Sequence, residues 1–199
     1  ESMAKVGLSW KTGDYKTLCY FDPVVREAFL AFAKKLFGHV NPYTGLAWKD
    51  DPVFITLNLI NEGTLPVSVK RAGTRTRSVV DAAFRHWLEQ KGLSASEESA
   101  ERWTEFLEET GKEFFSWMKH ALTEFGVRIP LSDQNFADAA GNTRAAFDYV
   151  DTHLYWGHPL FIGKHTWKLP SYTNPASAIA ANAGGIGDVF HVRVFGRPM

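Results

Sequence analysis

Apolar positions follow two rhythms along this chain. Val25, Phe29, Phe32 and Leu36 recur at helical spacing, which predicts one apolar stripe on a helix. Asp22-Pro23 ahead of it supplies an N-cap and a proline at the first helical position. Gly38 stops it. A second helix is predicted over 77–90, closed by Gly92. A third starts after Ser96, with Glu97 and Glu98 in its first turn. It runs through Phe106, Phe114, Trp117, Met118 and Leu122 to Gly126, with a break expected at Gly111. Shorter helices are predicted over 143–147 and 176–183. The extended rhythm predicts strands over 6–10, 53–60, 127–131 and 149–155. Turn residues fill 11–14 and 41–52.

The resulting order is β-α-β-α-α-β-α-β-α, which predicts a parallel sheet covered by helices. A doubly wound sheet and a piece of a (β/α) barrel both fit. No Gly-rich phosphate loop follows the first strand, which speaks against a nucleotide-binding sheet. No repeat and no linker divide the chain, so 1–199 reads as one domain.

Composition narrows the partners. The chain has 199 residues, 45% hydrophobic, enough for one sizeable core. Its 22 basic and 22 acidic residues cancel, which argues against nucleic acid or an anionic membrane as partner. No apolar run is long enough to span a bilayer, and the first five residues lack a signal-peptide core. The single cysteine, Cys19, excludes an internal disulfide and a cysteine metal cluster. Leu18, Tyr20 and Phe21 around it predict a packing role.

The chemistry gathers at predicted strand ends. Phe54-Ile55-Thr56-Leu57-Asn58-Leu59-Ile60 runs into Asn61-Glu62-Gly63. The apolar run predicts a strand buried on both faces. A carboxamide and a carboxylate then fall at its carboxyl end, where α/β folds build sites. The next strand ends in Ser132-Asp133-Gln134-Asn135, and the last in His153-Leu154-Tyr155-Trp156. Hydrogen-bonding groups, a carboxylate and aromatic rings together suit a polyhydroxylated ligand. Glycoside hydrolysis needs a carboxylic acid for the leaving oxygen and a second carboxylate. Glu62 is the acid candidate, since desolvation at a strand end favours its protonated form.

The loop Asn41-Pro42-Tyr43-Thr44-Gly45-Leu46-Ala47-Trp48-Lys49-Asp50-Asp51-Pro52, followed by the apolar run and Asn61-Glu62, resembles clan A glycoside hydrolases. In that clan such a loop precedes barrel strand four, which ends in Asn-Glu. Asp151-Thr152-His153-Leu154-Tyr155-Trp156-Gly157-His158-Pro159 resembles strand six, in family 5-like members particularly. The resemblance covers most of the chain and is weakest over 63–126. It implies a retaining mechanism on an oligo- or polysaccharide. Glu62 then matches the acid/base and Asn61 the residue bonded to the sugar 2-hydroxyl. Tyr155 resembles the tyrosine that orients the nucleophile, and His153 a histidine on the same wall. Trp156 would line a sugar subsite, and Asn135 is a substrate-binding candidate placed only by its strand end.

The clan's nucleophile is a Glu closing strand seven, and 196–199 resembles only that strand's beginning. The resemblance therefore implies an incomplete catalytic domain, a partial TIM (β/α) barrel of parallel strands lacking the first two and last two. Such a chain is expected to be inactive alone and to self-associate through open sheet edges. The alternative is a non-catalytic carbohydrate-binding or scaffold α/β module.

Bland readings cover the rest. His153, His158 and Asp151 fit no common zinc spacing, so neither metal nor cofactor is expected. Glu97, Glu98, Glu101, Glu105, Glu108 and Glu109 read as a solvated helix face. Asp50-Asp51 reads as loop chemistry. Ser9 and Ser132 lack a nucleophile elbow.

Overall fold

The computed structural model describes residues 12–135, 141–153, 160–161 and 171–172. Its elements run α1 (Thr12–Phe21), α2 (Pro23–Phe37), β1 (Leu57–Asn58), α3 (Leu65–Arg71), α4 (Thr74–Gln90), α5 (Ala100–Glu124), β2 (Leu131–Ser132) and α6 (Gly141–Arg144). Two further strands, β3 (Leu160–Phe161) and β4 (Ser171–Tyr172), pair antiparallel.

These residues are mostly helical, and the expected partial TIM barrel is wrong. β1 and β2 are two residues each. They pair parallel, Leu57 opposite Leu131 and Asn58 opposite Ser132. The predicted strand over 53–60 shrinks because turn chemistry overrides composition. Asp51 Oδ1 takes the Val53 N–H at 3.1 Å, and its carbonyl takes the Phe54 N–H. Val53 and Ile55 are left 70% and 76% exposed, not buried on two faces. Val127 stays tied to the end of α5 through Leu122 O, so pairing starts only at Leu131. Residues 149–153 form no strand. That stretch meets the β2 chain at its ends, Asp148 N–H on Leu131 O and His153 N–H on Asn135 O. The predicted segments 6–10, 154–155 and 176–183 lie outside the described residues.

The helices fit better. Asp22 Oδ1 caps α2 through the Val24 and Val25 N–H groups, with Pro23 at the first position. Of the predicted stripe, Val25 is buried while Phe32 is 58% exposed. Ser99, not Ser96, caps α5. α5 runs through Gly111 unbroken. There the missing side chain makes room, since a Cβ would stand 2.6 Å from Gln134 Nε2. α1 and α3 were not predicted. Residues 11–14 read as a turn, yet Gly13 and Asp14 sit in the first turn of α1.

α5 is the spine. Its 25 residues give a length of about 37 Å. One end packs with α1, α3 and α4 around Leu18, Val80, Phe84, Phe106 and Phe114. The other packs with α2 and the β2 approach around Leu30, Phe37, Met118, Leu122 and Phe147. Full burial of one such side chain stabilises by roughly 1.5–3 kcal/mol. Phe29, Leu59 and Trp117 touch both clusters and join them. No described helix is long and apolar enough to cross a membrane.

Candidate functional site

β1 and β2 end side by side, and both chains leave through a left-handed residue that is not glycine. Glu62 has φ 50° and Gln134 φ 52°. That region costs an L-residue about 1–2 kcal/mol, so other contacts must hold it. At Glu62 the turn closes with Gly63 N–H on Ile60 O at 3.1 Å. Gly63 is obligatory, because a Cβ there would lie 2.3 Å from Ile60 Cγ2. Lys16 of α1 reaches the turn and donates to the Asn61 and Glu62 carbonyls.

Asn135 is the hub of the site and is 1% exposed. Its Oδ1 accepts the Glu62 N–H at 2.7 Å, which fixes Nδ2 as the donor end. Nδ2 lies 2.9 Å from His153 Nε2, 3.3 Å from Asp151 Oδ2 and 3.4 Å from Asn61 Oδ1. Two hydrogens are shared over three acceptors. With Nε2 accepting, the proton of neutral His153 sits on Nδ1. Nδ1 faces Glu62 Oε1 at 3.4 Å, a long contact. The Glu62 and His153 side chains are 33% and 28% exposed, so the carboxylate reaches solvent from a half-enclosed position. Asp151 Oδ2 also takes Asn58 Nδ2 at 3.3 Å.

Of the residues named from the sequence, Glu62, Asn61, Asn135 and His153 lie together here. Tyr155 and Trp156 lie outside the described residues, as does His158. Asp151 joins the cluster as a second carboxylate, where the sequence raised it only as a metal ligand. No group of three His, Cys, Asp or Glu side chains gathers for a metal ion among the described residues.

Beneath the turn lies a pair that the sequence did not single out. The Tyr20 hydroxyl donates to Asp133 Oδ2 at 2.7 Å. Burial pushes the Asp133 carboxyl up to about 7, against the pull of the Tyr20 bond. Burial likewise raises the Tyr20 hydroxyl well above its ordinary value, with the Asp133 charge adding to it. Cys19 is fully buried, and burial pushes its thiol up to about 12. It is therefore inert packing and not a nucleophile.

A cavity of about 490 Å³ lies at the other end of the strands, lined by Thr56, Lys119, Arg128, Leu131, Asp148 and Tyr149. Its Lys119–Asp148 ion pair is structural, since Asp148 Oδ2 also takes the Leu131 N–H. The acid–amide–imidazole chemistry is at the carboxyl ends, away from this cavity. No family profile, curated protein or solved structure matches this chain.

Proposed function

We propose that the Glu62 cluster is a carbohydrate-processing site in which Glu62 is the acid/base for cleaving an O-glycosidic bond. The observation that carries this reading is the convergence on one turn. A half-enclosed carboxylate has its backbone clamped by Asn135 and its oxygen faced by His153 Nδ1. The side chain of Asn61 joins the same amide hub. Glu62 donates its proton to the leaving oxygen and afterwards takes one from water. Asn61 and Asn135 offer donors and acceptors to sugar hydroxyls. His153 steadies the carboxylate between the two steps.

A retaining displacement also needs a nucleophile. Glu124 is the last glutamate in the sequence, and it stands at the far end of α5. Asp151 is the other carboxylate among the described cluster residues, and its Oδ2 is held by two amides. We therefore expect this chain alone to bind sugar and protonate a leaving group without turning over. The same observation favours the second reading, a binding module that keeps the cleft without the chemistry.

Azide separates the two. With an aryl β-glycoside of poor leaving ability, added azide can take the nucleophile's place and yield a glycosyl azide. The hydrolase reading expects product only with azide, and its loss in Glu62→Gln. Sugar binding with no azide product across a panel of glycosides would leave the binding module.

A further inference from the structure

The buried pair under the acid turn carries a further inference, one that rests on the reading of Glu62 as the acid. Tyr20 is 2% exposed and Asp133 is 1% exposed. Besides its 2.7 Å bond to Asp133 Oδ2, the Tyr20 oxygen lies 3.5 Å from the Gly63 carbonyl. One hydroxyl hydrogen can serve only one of these acceptors fully. The two acceptors belong to the two strand exits. Asp133 precedes the left-handed Gln134, and Gly63 follows the left-handed Glu62. Tyr20 therefore bridges the two exits, beside the Glu62 N–H bond to Asn135 Oδ1 and the Ile60 backbone N–H on the Asp133 carboxyl. We propose that Tyr20 and Asp133 are positioning residues for Glu62, and that a proton on Asp133 selects which strand exit the Tyr20 hydroxyl holds.

With Asp133 ionised, its carboxylate is the stronger acceptor and keeps the hydroxyl. The Gly63 carbonyl then retains only the long contact. When Asp133 takes a proton from solvent, its own O–H donates to the Tyr20 oxygen. The Tyr20 hydrogen turns to the Gly63 carbonyl and draws on the turn that carries Glu62. No heavy atom need travel far. The Tyr20 ring is held by Phe114 of α5, ring centroids 4.4 Å apart, so the change is a hydroxyl rotation.

Both forms of Asp133 are populated near neutral pH, since burial brings its carboxyl to about 7. The groups around the pair do not displace this equilibrium. Cys19 and Tyr15 from α1 stay neutral because burial raises both. Arg26 from α2 donates to the Tyr20 carbonyl at 2.8 Å and pairs with Glu113 of α5 at 2.8 Å, which occupies its charge. On the far side of the turn stand Lys16, held on the Asn61 and Glu62 carbonyls, and the Glu62–His153 contact.

The test is a pH titration of the full chain by NMR, following the Gly63 carbonyl carbon and the Glu62 amide. Wild type, Tyr20→Phe and Asp133→Asn are compared. In the wild type both signals are expected to move together with a midpoint near 7. The movement is expected to vanish in both variants. A step unchanged by the substitutions overturns the proposal. A flat wild-type response does the same. Should Tyr20→Phe not fold, Asp133→Asn, which keeps an acceptor for the hydroxyl, makes the same comparison. This readout needs no turnover. A Gly63 step lost in the variants, in a chain that gives no azide product, would sink the hydrolase reading and leave the pair standing.

Discussion

Replacing Asp133 by Asn should remove a specific part of the pH dependence of stability. The carboxyl has an ordinary value of 3.8 and is pushed up to about 7 in the fold, burial being the main cause. The folded protein therefore holds this proton more tightly than the unfolded chain does. Stability from this group is complete below the ordinary value and is lost as pH rises through the folded one. At about 1.4 kcal/mol per pH unit, the loss across that window is on the order of 4 kcal/mol. Above it the contribution is flat.

The assay is urea unfolding of wild type and Asp133→Asn at a series of pH values spanning the window. Every other titrating group is common to both chains and cancels in the difference. With a slope of about 2–3 kcal/mol/M for a chain of this size, the wild-type midpoint should fall by roughly 1–2 M more than the variant's between acid and neutral pH. The absolute difference at one pH also contains the cost of burying the Asn Nδ2 donor, about 1–3 kcal/mol if it finds no partner. The change with pH does not contain it. Parallel midpoint profiles for the two proteins would refute the reasoning, because the buried carboxyl would then titrate alike in the folded and unfolded states.

Two further substitutions test the supports of the site and the fold. Gly63→Ala puts a Cβ 2.3 Å from Ile60 Cγ2, so the turn must shift. A loss of about 1–3 kcal/mol is expected from such overpacking, with the Glu62 amide signal displaced. An unchanged melt would show that the turn yields freely. Asp22→Ala removes the cap on the Val24 and Val25 N–H groups. It should cost about 1 kcal/mol by thermal melting, with the Glu62 signals unmoved, and a larger loss would mean that Asp22 does more than cap α2.

The sequence made the site easier to read than the fold. Asn61 and Glu62 follow an apolar stretch, while Asn135 and His153 close short polar runs after Leu131 and Val150, and polar groups at such exits have few places to go except a shared rim. That logic holds beyond the two-residue strands β1 and β2 for Asn61, Glu62 and Asn135 but not for His153, which follows no strand. The strands themselves were overestimated because Val53, Phe54 and Ile55 have strand composition, while pairing needs a partner that composition cannot show. Asp51 directs those residues into a turn instead. α1 was hidden by its Thr-Gly-Asp opening, which reads as a turn until Asp14 is seen accepting the Gly73 N–H across 59 positions of chain.

Tyr20 and Asp133 escaped for a different reason. Tyr20 sits in an apolar run with Leu18, Cys19 and Phe21 and looks like core, which by burial it is. Its hydroxyl finds Asp133 at a separation of 113 residues, beyond any local pattern. Yet the two strained exits make such a link physically necessary. Two non-glycine residues in the left-handed region cost about 1–2 kcal/mol each, and a fold keeps that only where neighbours fix it. Asn135 fixes Glu62 from above through its backbone N–H. Gln134 is held from the side through its Oε1, which accepts the Leu65 N–H of α3 at 3.4 Å. Tyr20 joins the two from below. Asn135 and Tyr20 bear on the Glu62 turn, and the Leu65 bond holds the neighbouring Gln134 exit. Local rules and the overall structure disagree at both exits, Glu62 and Gln134, and such disagreements are where functional groups are expected to be.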